Sequence, residues 1–114
     1  MKIFFTDKKL AKNCSAEAKC KKAYGLELAK KIMQRLNELK AADNLGIISH
    51  LPPPACHELK DNRKGQFAVK LNRNFRLIFE PEHDPIPTKN DGSIDKTKIT
   101  KISILEARED YHGK

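Results

Sequence analysis

Five side chains in this sequence are of types that move protons or neutralise phosphate: His57, Lys60, Arg76, Tyr111 and His112. An imidazole exchanges protons near neutral pH, and a guanidinium can contact two phosphate oxygens at once. Such a set suits metal-independent RNA cleavage. That reaction needs a base for the 2′-OH proton, cations for the charged phosphorane and an acid for the leaving 5′-oxygen. Three of them also have an ordinary reading: His57 as a surface or turn histidine, Arg76 as a structurally paired arginine, Tyr111 as a ring packed on a sheet with its hydroxyl wet. They lie far apart in the chain, so the choice depends on whether the fold gathers them.

Other chemistries have little to stand on. The glycines are isolated, and no GxGxxG, GK[ST] or HExxH occurs. His50, His57, His83 and His112 lack metal-ligand spacing, and no serine has a nucleophile-elbow context. No metal and no cofactor are expected. Cys14, Cys20 and Cys56 have no CxxC spacing, and their odd number argues against a disulfide framework. They are expected as free, buried thiols.

The bulk composition agrees with a nucleic-acid or acidic partner. Lys and Arg total 23 against 15 Asp and Glu, a formal charge of +8 on 114 residues. Hydrophobic residues make up 39%, enough for one core, so residues 1–114 are expected to form one domain. The apolar burst Ile3-Phe4-Phe5 is too short for a signal-peptide core, and no run could span a bilayer. A cytoplasmic protein without membrane contact is expected.

The elements that must position the five residues can be read from periodicity. Met1 to Phe5 reads as a strand, Asp7 to Asn13 as one or two helical turns, and Ser15 as the hydroxyl cap of a helix that Gly25 interrupts. Leu28, Ile32, Leu36 and Leu39 make the stripe of a helix over 26–42, widened by Ala29 and Met33, with Arg35 among the polar positions. A short helix over 45–51 and an extended connector at Pro52-Pro53-Pro54 follow. Gln66 to Leu71 and Phe75 to Glu80 alternate, with Phe67, Val69, Leu71, Phe75, Leu77 and Phe79 inward and Arg76 on the opposite face. The polar turn 72–74 joins them as an antiparallel hairpin. Residues 81–98 read as a long exposed loop and 99–106 as a last strand. Helices followed by antiparallel strands imply α+β: a small antiparallel, mixed-edge sheet of four to five strands with the N-terminal helices packed on one face.

The stretch HELKDNRKGQFAVKLNRNFRLIF, together with the near-terminal EDYH, resembles the RelE/ParE toxin superfamily. It is most similar to the HigB-type, or plasmid maintenance killer, branch, whose pattern runs HxLKGDRKGQ, strand, N-x-x-[WYF]R[ILV]xF and a C-terminal DYH. LAKKIMQRLNELKAA and LPPP match in place and character, so the resemblance covers nearly the whole chain. It implies the toxin of a type II toxin–antitoxin pair that enters the ribosomal 30S A site and cuts mRNA there. A cognate HigA-like helix-turn-helix antitoxin would hold it inactive. Carried over by position, His57 and Lys60 match the family's H-x-x-K pair, Arg76 its strand arginine, and Tyr111 and His112 its terminal Tyr-His, with Asp110 before them. Lys60 and Arg76 would meet transition-state charge, and Tyr111 would stack on or orient a nucleotide. His57 or His112 would transfer protons, in either order. Arg63, Lys64 and Arg73 would contact phosphates, and Asp110 belongs to the same RNA-facing set.

The chain departs from that pattern twice. Asp61-Asn62 stands where the family reads Gly-Asp, and the 81–98 loop is longer than the branch's tight connection. Two other readings compete: a ParE-like toxin that inhibits DNA gyrase by binding, without cutting RNA, and a basic domain with no such activity.

Overall fold

The computed structural model describes residues 1–109. Its elements are β1 (Lys2–Phe5), α1 (Lys8–Asn13), α2 (Glu17–Tyr24), α3 (Leu26–Ala41), β2 (His57–Glu58), β3 (Phe67–Lys70), β4 (Phe75–Pro81) and β5 (Lys101–Glu109). The five strands form one sheet in the order β1-β5-β4-β3-β2. β1 runs parallel to β5 and every other pairing is antiparallel. This is the expected α+β sheet with one mixed edge.

The stripe on α3 buries Leu28, Ala29, Ile32, Leu36 and Leu39 in one cluster with Phe67, Val69, Leu71, Leu77 and Phe79 from the hairpin and Ile102 and Ile104 from β5. The inward alternation of β3 and β4 is therefore as read, and Phe67 and Phe79, directly paired in register, stack with ring centroids 6.0 Å apart. Ala68 and Ile78 are also buried but lie outside that cluster. By strand alternation they face away from the helices, and they become the floor of the site below.

Arg35 departs from its expected place on the polar side of α3. It is 3% exposed. Its Nε donates to the Lys70 carbonyl at 2.7 Å, and its Nη1 donates to both carboxylate oxygens of Glu38 at 3.1 Å. The long stem lets a guanidinium travel past the apolar stripe and satisfy a carbonyl at the end of β3. Hydrophobic periodicity cannot show that.

Local chemistry explains the remaining boundaries. Asp7 caps α1 by accepting from the Lys9 N–H at 2.8 Å. Ser15 does not cap α2; its hydroxyl donates back to the Lys12 carbonyl at 2.7 Å, and α2 starts after Ala16 without a side-chain cap. Gly25 divides α2 from α3 at φ +85°, a conformation that glycine adopts without strain. The expected helix at 45–51 shrinks to a 3₁₀ turn at Leu45–Ile47, and the prolines sit in a turn that the Ala55 N–H closes on the Leu51 carbonyl. The Asn72 carboxamide oxygen accepts from the Asn74 and Phe75 N–H groups, so the 72–74 turn is an Asx turn.

The 81–98 segment is less loop-like than its composition suggests. Thr88 and Ile94 form a β-bridge, and Ile94 packs against the core. His83 Nε2 accepts from the Thr100 N–H at 3.1 Å, tying the start of the segment to the approach to β5. β5 itself begins later and runs further than expected, to Glu109. The three cysteines are free and buried, as expected.

Candidate active site

The outer face of the sheet carries two cross-strand rows. His57 pairs with Ala68, Ala68 with Ile78, and Ile78 with Glu106. In the next row Lys70 pairs with Arg76, and Arg76 with Arg108. Direct partners share a face and stand about 5 Å apart at Cβ, so three cations occupy one row.

A groove of about 220 Å³ opens over these rows, lined by His57, Leu59, Arg63, Ala68, Arg76, Ile78 and Arg108. Ala68 and Ile78 supply a dry floor. Arg76 is half-buried and Arg108 is exposed. At one end Arg63 is held in place: its Nε donates to Gln66 Oε1 at 2.8 Å and its Nη2 lies 2.7 Å from Glu106 Oε2. The β2–β3 connection, closed by the Leu59 N–H on the Gln66 carbonyl, carries Arg63 there through a 3₁₀ turn at Asp61–Arg63.

His57 stands at the other wall, exposed, on the short strand β2. Its Nδ1 lies 3.1 Å from the Ala55 carbonyl oxygen. A carbonyl only accepts, so Nδ1 carries a proton, and in the neutral ring the lone pair is then on Nε2. That is the tautomer of a general base. The neighbouring Cys56 points into the core, and burial pushes its thiol up to about 11, so it offers no thiolate nucleophile at neutral pH.

The structure thus brings together His57, Arg63 and Arg76 from the expected set. Lys60 is exposed one residue past Leu59 and does not line the groove; Lys64 and Arg73 are exposed in the flanking turns. Asp110, Tyr111 and His112 lie outside the described residues. Two residues escaped the sequence reading: Arg108, which lines the groove, and Glu106, which pairs with the groove residue Arg63. The signal was partial: period-two spacing puts Glu106 and Arg108 on one face, but the bulge at Leu105 sets that face out of phase with Ile102 and Ile104, and only the pairing of Arg108 with Arg76 identifies it.

The Asp61 position resolves one departure from the family pattern. Asp61 has φ +58°, in the left-handed region that favours glycine. A glycine there, as in the pattern the sequence resembles, would adopt this angle without strain, and Asp is among the non-glycine residues that tolerate it best. Among the described residues no group of three or more His, Cys, Asp or Glu side chains is arranged to hold a metal ion. No described helix is long and apolar enough to cross a membrane.

No family model matches this chain, and no curated protein matches it in sequence. Solved structures do share its fold. A YoeB/ParE toxin from Agrobacterium tumefaciens superposes with a TM-score of 0.57 at 11% identity, covering 97% of this chain and 100% of that one. The YoeB–YefM complex from Staphylococcus aureus gives 0.57 at 15% identity, over 97% and 98% of the two chains. A YoeB dimer from Staphylococcus aureus gives 0.55 at 17%, again over 97% and 98%. At such identities the likeness is one of fold.

Proposed function

We propose that this chain is a metal-independent endoribonuclease, the toxin of a type II toxin–antitoxin pair, which cuts mRNA in the ribosomal A site. The observation that carries this reading is that Arg76 and Arg108, register partners, line one groove with His57 over the apolar Ala68 and Ile78. His57 Nε2 takes the 2′-OH proton, and the 2′-oxygen attacks phosphorus. Arg76 and Arg108 meet the charge of the phosphorane, where preorganised donors contribute most. The 5′-oxygen leaves with a proton, and the products are a 2′,3′-cyclic phosphate and a free 5′-hydroxyl. The acid is then His112, and Tyr111 stacks on or orients a nucleotide, both by resemblance. Lys60, Lys64 and Arg73 reach phosphates outside the groove, and Asp110 precedes the terminal pair.

The names of the fold neighbours support a toxin, and a solved YoeB–YefM complex is in keeping with a partner protein for this chain. We assign that partner as a HigA-like helix-turn-helix antitoxin on the family resemblance, and the cytoplasm as the place of action. Expression of Arg76→Ala and Tyr111→Ala variants tests the site. Both should fold and lose growth arrest; full toxicity in both would refute the assignment. Double-strand DNA breaks in arrested cells, without RNA ends, would favour the gyrase-inhibiting reading instead.

A further inference from the structure

A second groove, of about 750 Å³, lies on the other side of Glu106, between β5 and helices α1 and α2. It exists because β1 stops pairing at Phe5 with Ile104, after which the chain turns away into α1. It also depends on a bulge. Ile78 pairs with Glu106 while the next residue, Phe79, pairs with Ile104, which leaves Leu105 as the extra residue. The bulge sends Leu105 into the second groove and keeps Glu106 on the face of the first.

Lys9, Lys12, Lys19 and Lys22 line this groove over an apolar base that includes Leu10, Leu105 and Ala107, and Tyr24 adds an aromatic surface. Two carboxylates also line it, and both are engaged. Asp7 caps α1, and Glu106 is paired with Arg63. Among the described residues no carboxylate lies within ion-pair distance of any of the four lysines. Four exposed ammonium groups beside an aromatic and a dry base suit a sugar-phosphate strand. Glu106, at the divide, and Arg108, in the first groove, are two residues apart on β5, about 7 Å.

We infer that the lysine groove holds the RNA flanking the cleaved bond, with the Arg63–Glu106 pair as the ridge between groove and site. The inference rests on the nuclease reading and extends it from a point of cleavage to a path for the strand. It is tested with non-cleavable 2′-deoxy oligonucleotides of three and nine nucleotides, titrated into the full chain at several salt concentrations. The nine-mer should bind more tightly than the three-mer. The triple variant Lys12→Ala, Lys19→Ala, Lys22→Ala should weaken the nine-mer about tenfold or more and leave the three-mer unchanged. Its log–log salt slope should shrink by about 2, at ~0.7 per phosphate neutralised. Arg76→Ala should weaken both.

A three-mer insensitive to Arg76→Ala would overturn the site reading itself. A three-mer that depends on Arg76, with a nine-mer indifferent to the lysines, would overturn the path alone. Equal weakening of both oligomers by the triple variant would reduce the lysines to general charge and also overturn it. So would lysine-dependent binding of a nine-residue polyglutamate but not of the nine-mer, which would assign the groove to an acidic protein. Absence of any oligomer binding at low salt would overturn both readings.

Discussion

Replacing Arg35 by methionine removes a charged donor from the interior while keeping most of the side-chain length. The Nε bond to the Lys70 carbonyl, at 2.7 Å, is a hydrogen bond from a charged group to a backbone oxygen at the end of β3. Such bonds contribute about 1.5–3 kcal/mol. The contact with Glu38 adds little, about 0.5 kcal/mol, because that carboxylate is 39% exposed and water screens the pair. Against these losses, methionine spares the desolvation of a guanidinium that is 3% exposed. The net expectation is a loss of about 2 kcal/mol, which at this chain length corresponds to a fall in Tm of about 8 °C. Denaturant unfolding should show a lower midpoint with an unchanged slope. Glu38→Gln should cost less than about 1 kcal/mol in the same assay. Because Lys70 pairs with Arg76, the tether also bears on the site. An Arg35→Met midpoint equivalent to less than about 0.5 kcal/mol, or a Glu38→Gln loss as large as that of Arg35→Met, would refute the assignment of the stability to the Lys70 carbonyl.

Other consequences follow from the turns and the buried thiols. Asp61→Gly should stabilise by up to about 1 kcal/mol, relief of a left-handed residue outweighing the greater freedom of glycine in the unfolded chain; thermal denaturation that shows a loss would contradict this. Burial raises Cys14 and Cys56 from 9.0 to about 11, with Cys20 beside Cys14 adding to its shift and Lys96 opposing that of Cys56. Between those pH values the unfolded chain gives up thiol protons that the fold retains. Stability from this source is therefore full below pH 9 and falls as pH rises towards 11, by at most about 3 kcal/mol per thiol. Cys56→Ala should make the alkaline decline shallower in unfolding measured from pH 8 to 11, and an unchanged decline would exclude that thiol. His57→Gln should lower cleavage by about 10²–10⁴-fold if His57 is the base, as measured by single-turnover RNA cutting, while binding of the non-cleavable three-mer stays within a few-fold.

The sheet and the main helix were legible in the sequence because both express burial as periodicity. Leu28 to Leu39 repeat at helical spacing, and Phe67 to Phe79 alternate. The site was legible in part, since Arg76 stands out as a cation opposite an apolar face. What periodicity does not encode stayed hidden. Arg35 is buried through its stem and a single carbonyl, Ser15 turns back on α1, and Ile94 anchors a segment whose composition is that of a loop. Arg108 was missed because the last strand was ended at Glu106, short of its observed end at Glu109. A bulge at Leu105 shifts the phase there, so simple alternation counted from Ile102 and Ile104 would place Glu106 on the wrong face. The departure at Asp61 could be interpreted only once its backbone angle was known.

The central claim is that the groove between His57 and the Arg76–Arg108 row cuts RNA. Primer extension on mRNA from ribosomes translating in the presence of the purified chain tests it most directly, with Arg76→Ala in parallel. New 5′ ends within reading frames, bearing free 5′-hydroxyls and lost with Arg76→Ala, are the predicted result. Intact mRNA with the parent chain, or the same ends produced undiminished by the variant, would contradict it.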